Sequence, residues 1–250
     1  MGDKKLIIQH GAQSQTNVNS GEGTMIINNN YLQGRSWVEA SSDLRSWYSC
    51  VYGEKHIERI ETERLWNWIV RWDNVIKPMD RVSLLVGDAG TGKSVVMHDL
   101  LLKLEQSGMK TLGLKSDILF ASDTDLDKVV GLGKSVSSII LELAQKEKVI
   151  LLVDQIDALS STLSANRKPL HSINTLVSEV CVSPNVRVVV SCRPYDQQYD
   201  PMLDRYRDRN VVTMGGLPIE EVNNTLNLAG IKIEADEELI KNFLANPLNL

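Results

Sequence analysis

Cysteine is scarce in this chain: Cys50, Cys181 and Cys192 are the only three in 250 residues. An odd number so widely spaced makes no disulfide framework and no cysteine-based metal site. The four histidines are scattered, with no i, i+4 pair to hold a metal. No apolar run approaches the ~18 residues of a membrane span. The cluster after Met1-Gly2-Asp3-Lys4-Lys5 has only three apolar residues, too few for a signal-peptide core. A basic excess is also missing. The net charge is −5 and the pI about 5.5, so no electrostatic footprint for nucleic acid is present. The densest basic stretch, Asp204-Arg205-Tyr206-Arg207-Asp208-Arg209, alternates in sign and reads as a self-paired, solvated surface. These absences point to a reducing, cytoplasmic setting with no membrane span and no direct nucleic-acid signal.

What is present is ordinary for a globular protein: 42% apolar and 24% charged residues, enough for one α/β domain with appendages. Residues 1–30 stand apart. They are rich in Asn, Gln, Gly and Ser around two apolar clusters, Leu6-Ile7-Ile8 and Met25-Ile26-Ile27. Such composition fits a polar tail, or else a short signalling motif in which amide-rich strands stack. Residues 31–78 read as a helical linker, with Leu65, Trp68, Ile69 and Trp72 on one helical stripe.

From residue 79 to 200 the pattern is of short apolar strands separated by helices. Val82–Val86, Thr111–Leu114, Val149–Val153 and Val186–Val190 are continuous rather than alternating runs, the last interrupted by Arg187. Such runs predict a parallel sheet covered by helices on both faces. Residues 126–146 read as one helix despite Gly131 and Gly133. After Pro201 the strands are expected to end. Residues 201–250 then read as the start of a helical subdomain, with helices opening at Pro218 and over about 235–245, and with the chain cut off inside it.

The first strand runs into Gly87-Asp88-Ala89-Gly90-Thr91-Gly92-Lys93-Ser94, which satisfies G-x-x-x-x-G-K-[ST] and lies between a strand and a helix. The glycines let the backbone turn tightly and aim its N–H groups at phosphate oxygens, and the next helix adds the positive end of its dipole. Lys93 supplies a charge for the β- and γ-phosphates, and Ser94 a hydroxyl for Mg²⁺. The expected ligand is ATP with Mg²⁺. Asp154 ends an apolar strand, where a second Mg²⁺-holding group belongs. Asp157 is placed to orient an attacking water. Gln155, not glutamate, comes after Asp154, which removes the usual catalytic base of motor-type ATPases. Arg193, in Ser191-Cys192-Arg193-Pro194, either reads the γ-phosphate from the C-terminal edge of the sheet or is a surface arginine closing a strand.

Taken together, Gly87–Ser94, Leu151-Leu152-Val153-Asp154-Gln155-Ile156-Asp157-Ala158-Leu159 and Val189-Val190-Ser191-Cys192-Arg193-Pro194 resemble the STAND class of signal-transduction NTPases, nearest its NACHT branch and its bacterial members. The resemblance spans about residues 54–250. It implies a P-loop NTPase fold and a slow ATPase used as a switch. It also implies an ADP-bound inactive monomer, an unknown protein trigger and a homo-oligomer on activation, often in antiphage defence. Arg59, in His56-Ile57-Glu58-Arg59, takes the place of the family's arginine near the base. Pro247, in Asn246-Pro247-Leu248, takes that of the proline packing on adenine. Ala158 stands where NACHT proteins commonly carry a glutamate, which again implies slow hydrolysis. The competing readings are a P-loop kinase, a GTPase and a scaffold with a purely structural nucleotide. No arginine-rich lid comes after the third strand. The nearest thing to a guanine motif, Leu114-Lys115-Ser116-Asp117, lacks its asparagine.

Overall fold

The computed structural model describes residues 6–8, 15–19, 24–28, 34–47, 50, 55–72, 77–121, 123–160, 164–207, 209–231 and 244–247. The chain divides into two units, Met1–Gly34 and Arg35–Leu250. Within the first, β1 (Leu6–Ile8), β2 (Gln15–Asn19) and β3 (Thr24–Asn28) pair antiparallel in the order β1-β2-β3. The polar first thirty residues therefore hold a small three-stranded meander.

The second unit opens with two short helices, α1 (Trp37–Ala40) and α2 (Ser42–Arg45). Ser36 and Glu39 cap α1 reciprocally, satisfying two of the amide donors that a helix start leaves open. The helical stretch expected over residues 31–78 is broken after α2 and resumes only as α3 (Ile60–Arg71). These pieces are not a free linker, because Leu44, Leu65 and Ile69 are fully buried in the core. Leu44 sits over Gly113, where a Cβ would come within 2.8 Å of its Cδ2. That close approach explains a glycine in mid-strand.

After α3 the chain forms β4 (Val82–Val86), α4 (Lys93–Gln106), β5 (Lys110–Lys115), α5 (Ser116–Leu119), α6 (Leu126–Val130), α7 (Val136–Ala144) and β6 (Val149–Asp154). Next come α8 (Lys168–Val180), β7 (Val186–Cys192), α9 (Pro194–Tyr199), β8 (Asn210–Thr213) and α10 (Ile219–Leu228). The helix expected over 126–146 is two helices. Gly131 and Gly133 both adopt positive φ, which no L side chain takes easily, and the chain turns there. The strands do not end at Pro201 either. β8 joins the far side of β4 and completes a five-stranded parallel sheet, β5-β6-β7-β4-β8. Of the later helix expected over 235–245, residues 235–243 lie outside the described residues.

Side chains alternate across the buried strands. Val82, Leu84, Val86, Leu151 and Val190 enter one core with α7 and α8, whereas Leu85, Ile150, Leu152 and Val189 enter another with α3 and α4. Arg187 belongs to the second face, stacked 5.3 Å from Trp68 and 5.0 Å from Trp72. The aromatic rings accept its charge, so a cation is tolerated inside an apolar strand. Among the described residues, no helix is long and apolar enough to cross a membrane.

Candidate nucleotide site

All five strands point the same way, so the residues leaving β4, β6 and β7 gather at one sheet edge. β4 carries the glycine-rich loop into α4. Gly90 and Gly92 hold φ of 79° and 93°, and Gly92 is the residue from which α4 starts. Gly87 is required for a different reason. A Cβ there would lie 2.6 Å from Met214 Cβ and 2.7 Å from Thr91 Oγ1. Met214, just past β8, donates its N–H to Val86 O at 2.7 Å and so lies across the loop's entrance. Thr91 Oγ1 donates to Asp88 O at 2.9 Å, tightening the turn.

Lys93 is buried, and its ammonium donates to Gly87 O at 2.7 Å and Asp88 O at 2.9 Å. Burial pulls its pKa below the usual lysine value, against the opposing charges of Asp157 and Asp154. The lysine is thus folded onto the loop that a phosphate would occupy.

β4 and β6 are not neighbours; β7 lies between them. Asp154, at the end of β6, is fully buried. Its Oδ1 accepts from Ser191 Oγ of β7 at 2.5 Å, whereas Oδ2 makes no hydrogen bond of normal length. Burial pushes its carboxyl up. The Ser191 hydrogen bond, the nearby Ser94 hydroxyl and the Lys115 charge pull the other way. Asp157, also buried, is ion-paired with Arg193, whose Nε lies 2.9 Å from Oδ2, and its Oδ1 makes no hydrogen bond. Here too burial raises the carboxyl, opposed by Lys93 and Arg193. Arg193 leaves β7 and is half-exposed, with 42% of its side chain open. The loop, Ser94, Asp154, Asp157 and Arg193, expected to converge, all lie at this edge.

The residues at this edge fit Mg²⁺ with a nucleoside triphosphate. Asp154 Oδ2 is a buried acceptor with no donor, which is costly unless something positive comes to it. No group of three or more His, Cys, Asp or Glu side chains poised for a metal occurs among the described residues. Mg²⁺ typically needs less, since one or two carboxylates plus phosphate oxygens and waters suffice.

The two remaining expected residues differ. Pro247 lies by the loop, 3.9 Å from where a Gly92 Cβ would stand, and Asn246 Nδ2 donates to Ala89 O at 3.2 Å. Arg59 does not reach the loop through its hydrogen bonds. Its guanidinium is buried against Glu61, at 3.2 Å, and Gly215 O, at 2.5 Å. It also lines a cleft of about 510 Å³ between α3 and α4 with His56, Thr62, Asp99 and Lys103. It touches the site only through Gly215, the neighbour of Met214. Sequence reasoning missed Ser191 and Met214. A serine at a strand end and a methionine after a short edge strand carry no signal of their own.

Comparison with known proteins agrees with this geometry. Residues 83–214 match the model of the AAA family, the ATPase family associated with various cellular activities. The match covers more than half of the chain, which therefore belongs to that family. No curated protein matches the sequence. Among solved structures, the Walker-type ATPase of Pyrococcus abyssi is similar at 11% identity and a TM-score of 0.50, over 82% of this chain and 68% of that one. The AMPPCP-bound DnaA of Aquifex aeolicus gives 13% and 0.48, over 76% and 57%. C. elegans PCH-2 gives 18% and 0.44, over 78% and 54%. The present chain spans little more than half the length of the last two. At these identities the likeness is one of fold.

Proposed function

We propose that this AAA-family chain binds ATP with Mg²⁺ at Gly87–Ser94 and hydrolyses it slowly, as a STAND- or NACHT-like switch controlling homo-oligomerisation. The observation that carries the reading is the seating of Asn246 and Pro247 on the phosphate loop, which couples that loop to the stretch beyond β8. A shift of the loop is therefore passed on to that stretch.

In this reading the backbone N–H groups of Gly87, Asp88, Ala89, Gly90, Thr91 and Gly92 cradle the phosphates. Lys93 leaves its carbonyl partners for the β- and γ-phosphates, and Ser94 and Asp154 hold the metal. Magnesium, when bound, neutralises charge on the phosphate oxygens. Arg193 reads the γ-phosphate, distinguishing ATP from ADP. Asp157 orients the attacking water through Oδ1, the oxygen that Arg193 leaves unused. Turnover is slow because Gln155 presents a neutral amide, which can donate but cannot take a proton at neutral pH. Ala158 presents nothing that could replace it.

We extend the reading to organisation. Residues 79–200, with β8 added, form the nucleotide-binding domain; 201–250 lead into a helical subdomain; and 1–30 are a polar tail or a short signalling motif. Pro247 lines the base, and Arg59 bears on it only through Gly215. A protein trigger and a setting in bacterial antiphage defence rest on the resemblance to STAND proteins alone. Sedimentation of the chain with Mg²⁺ and either ADP or a non-hydrolysable ATP analogue tests the switch. Larger assemblies with the triphosphate alone are expected; identical profiles with both nucleotides contradict it.

A further inference from the structure

Gln155 occupies the position after Asp154 where a catalytic base would stand, and the structure gives it a different task. Its backbone is left-handed, φ 56° and ψ 47°. Besides Trp72, it is the only described residue other than glycine with positive φ. A non-glycine residue in that region is strained and persists only where the surroundings enforce it. Two contacts enforce it here. The Gln155 N–H donates to Ser191 Oγ at 2.8 Å, and the carboxamide Nε2 donates to Ser94 Oγ at 3.1 Å.

Ser191 is the hub. Its oxygen accepts from Gln155 while its single proton goes to Asp154 Oδ1. One short chain of hydrogen bonds thus fixes the carboxylate from one side and the Ser94 hydroxyl from the other. A serine hydroxyl has one proton and two lone pairs. With one lone pair engaged by the Gln155 amide, the Ser94 rotor is held and a single lone pair remains for a cation.

We infer that Gln155 is a metal-positioning residue: its carboxamide pins the Ser94 hydroxyl, and its left-handed backbone, held by Ser191, keeps that carboxamide in place beside Asp154. The inference rests on reading Gly87–Ser94 with Asp154 as the Mg²⁺–ATP site. It adds a specific role for the residue whose amide makes that site a slow one. Groups that orient a metal's ligands commonly contribute about tenfold or more to metal affinity.

The test compares affinities for AMPPCP measured with EDTA and with Mg²⁺ for the parent chain and for Gln155→Met, which keeps length but removes the donor. The parent is expected to bind more tightly with the metal. In Gln155→Met that metal-dependent gain should shrink about tenfold while the EDTA value stays within about twofold. Ser191→Ala, which frees both Asp154 and the Gln155 backbone, should shrink it as well; circular dichroism checks that this buried change leaves the fold intact. An unchanged or enlarged gain in Gln155→Met overturns the inference. If the parent binds no nucleotide under either condition, the ATP-site reading itself falls, an outcome separate from the first.

Discussion

On the β4 side of the site, the groups that face a phosphate belong to the backbone, exposed by three glycines and one helix start, with Lys93 as the one charged side chain among them. On the β6–β7 side they belong to side chains, held in a buried layer where Asp154 Oδ2 and Asp157 Oδ1 lack donors. The first side is shaped by conformation, the second by charge. Backbone amides are fixed once the turn is made and stay neutral whatever the ligand. Buried carboxylates are unstable on their own account and are relieved by a cation. This contrast separates binding from sensing: the loop would hold any triphosphate, and the carboxylate edge would register the metal and the third phosphate.

The hardest blow to the comparison would come from the loop's one charged donor. Lys93→Ala should weaken ATP binding by roughly 100-fold, near the upper end for charge-assisted hydrogen bonds. Thermal stability should hardly change, since burial already disfavours the lysine's charge. Calorimetric titration and a melting curve check both halves; retained affinity would show that the loop does not depend on its lysine.

Gly87→Ala probes the loop as conformation. The added Cβ would meet Met214 Cβ and Cγ at 2.6 and 2.7 Å, so Met214 or the loop must shift. Overpacking of this kind costs about 1–3 kcal/mol, readable as a lower urea midpoint. An unchanged midpoint would mean that Met214 does not press on the loop.

Asp157→Asn probes the charged edge. Burial pushes the Asp157 carboxyl up despite Lys93 and Arg193. A raised native value means that the folded state holds a proton where the unfolded chain has released it. At neutral pH the group therefore weakens folding, and the penalty fades as pH falls through the native value. Asp157→Asn, which removes the charge that burial disfavours, should accordingly be more stable than the parent at pH 7. That gap should close on acidification. Its ATP affinity should persist while turnover slows. Lower stability at pH 7, or unchanged turnover, would reverse this assignment.

The same contrast decides how much of the molecule could be read from sequence. The loop was legible because strand, turn and helix are contiguous from Val82 to Gln106, so composition and spacing carry the whole device. β6 was legible as an unbroken apolar run and β7 as one interrupted only by Arg187, both buried on both faces. β8 was not, because only Val212 of Asn210–Thr213 is buried, and an edge strand needs no apolar run. Asp154 was legible as a strand-ending acid, but its partner Ser191 comes from a strand 37 residues on. Nothing local marks that pairing. Arg59 matched a pattern, and tertiary structure spent its guanidinium on Glu61 and Gly215 instead.

The smallest expected effect is also the most direct test of the central claim, that the β6–β7 edge senses the third phosphate. ATP and ADP affinities, both with Mg²⁺, are measured for the parent and for Arg193→Ala. Arg193 is half-exposed, so its share is modest, about five- to tenfold on ATP, the range of one partly screened charge-assisted hydrogen bond. ADP should change by less than about twofold, so that the preference for triphosphate shrinks in the variant. Equal losses for both nucleotides would contradict the account and leave Arg193 as the partner of Asp157 alone.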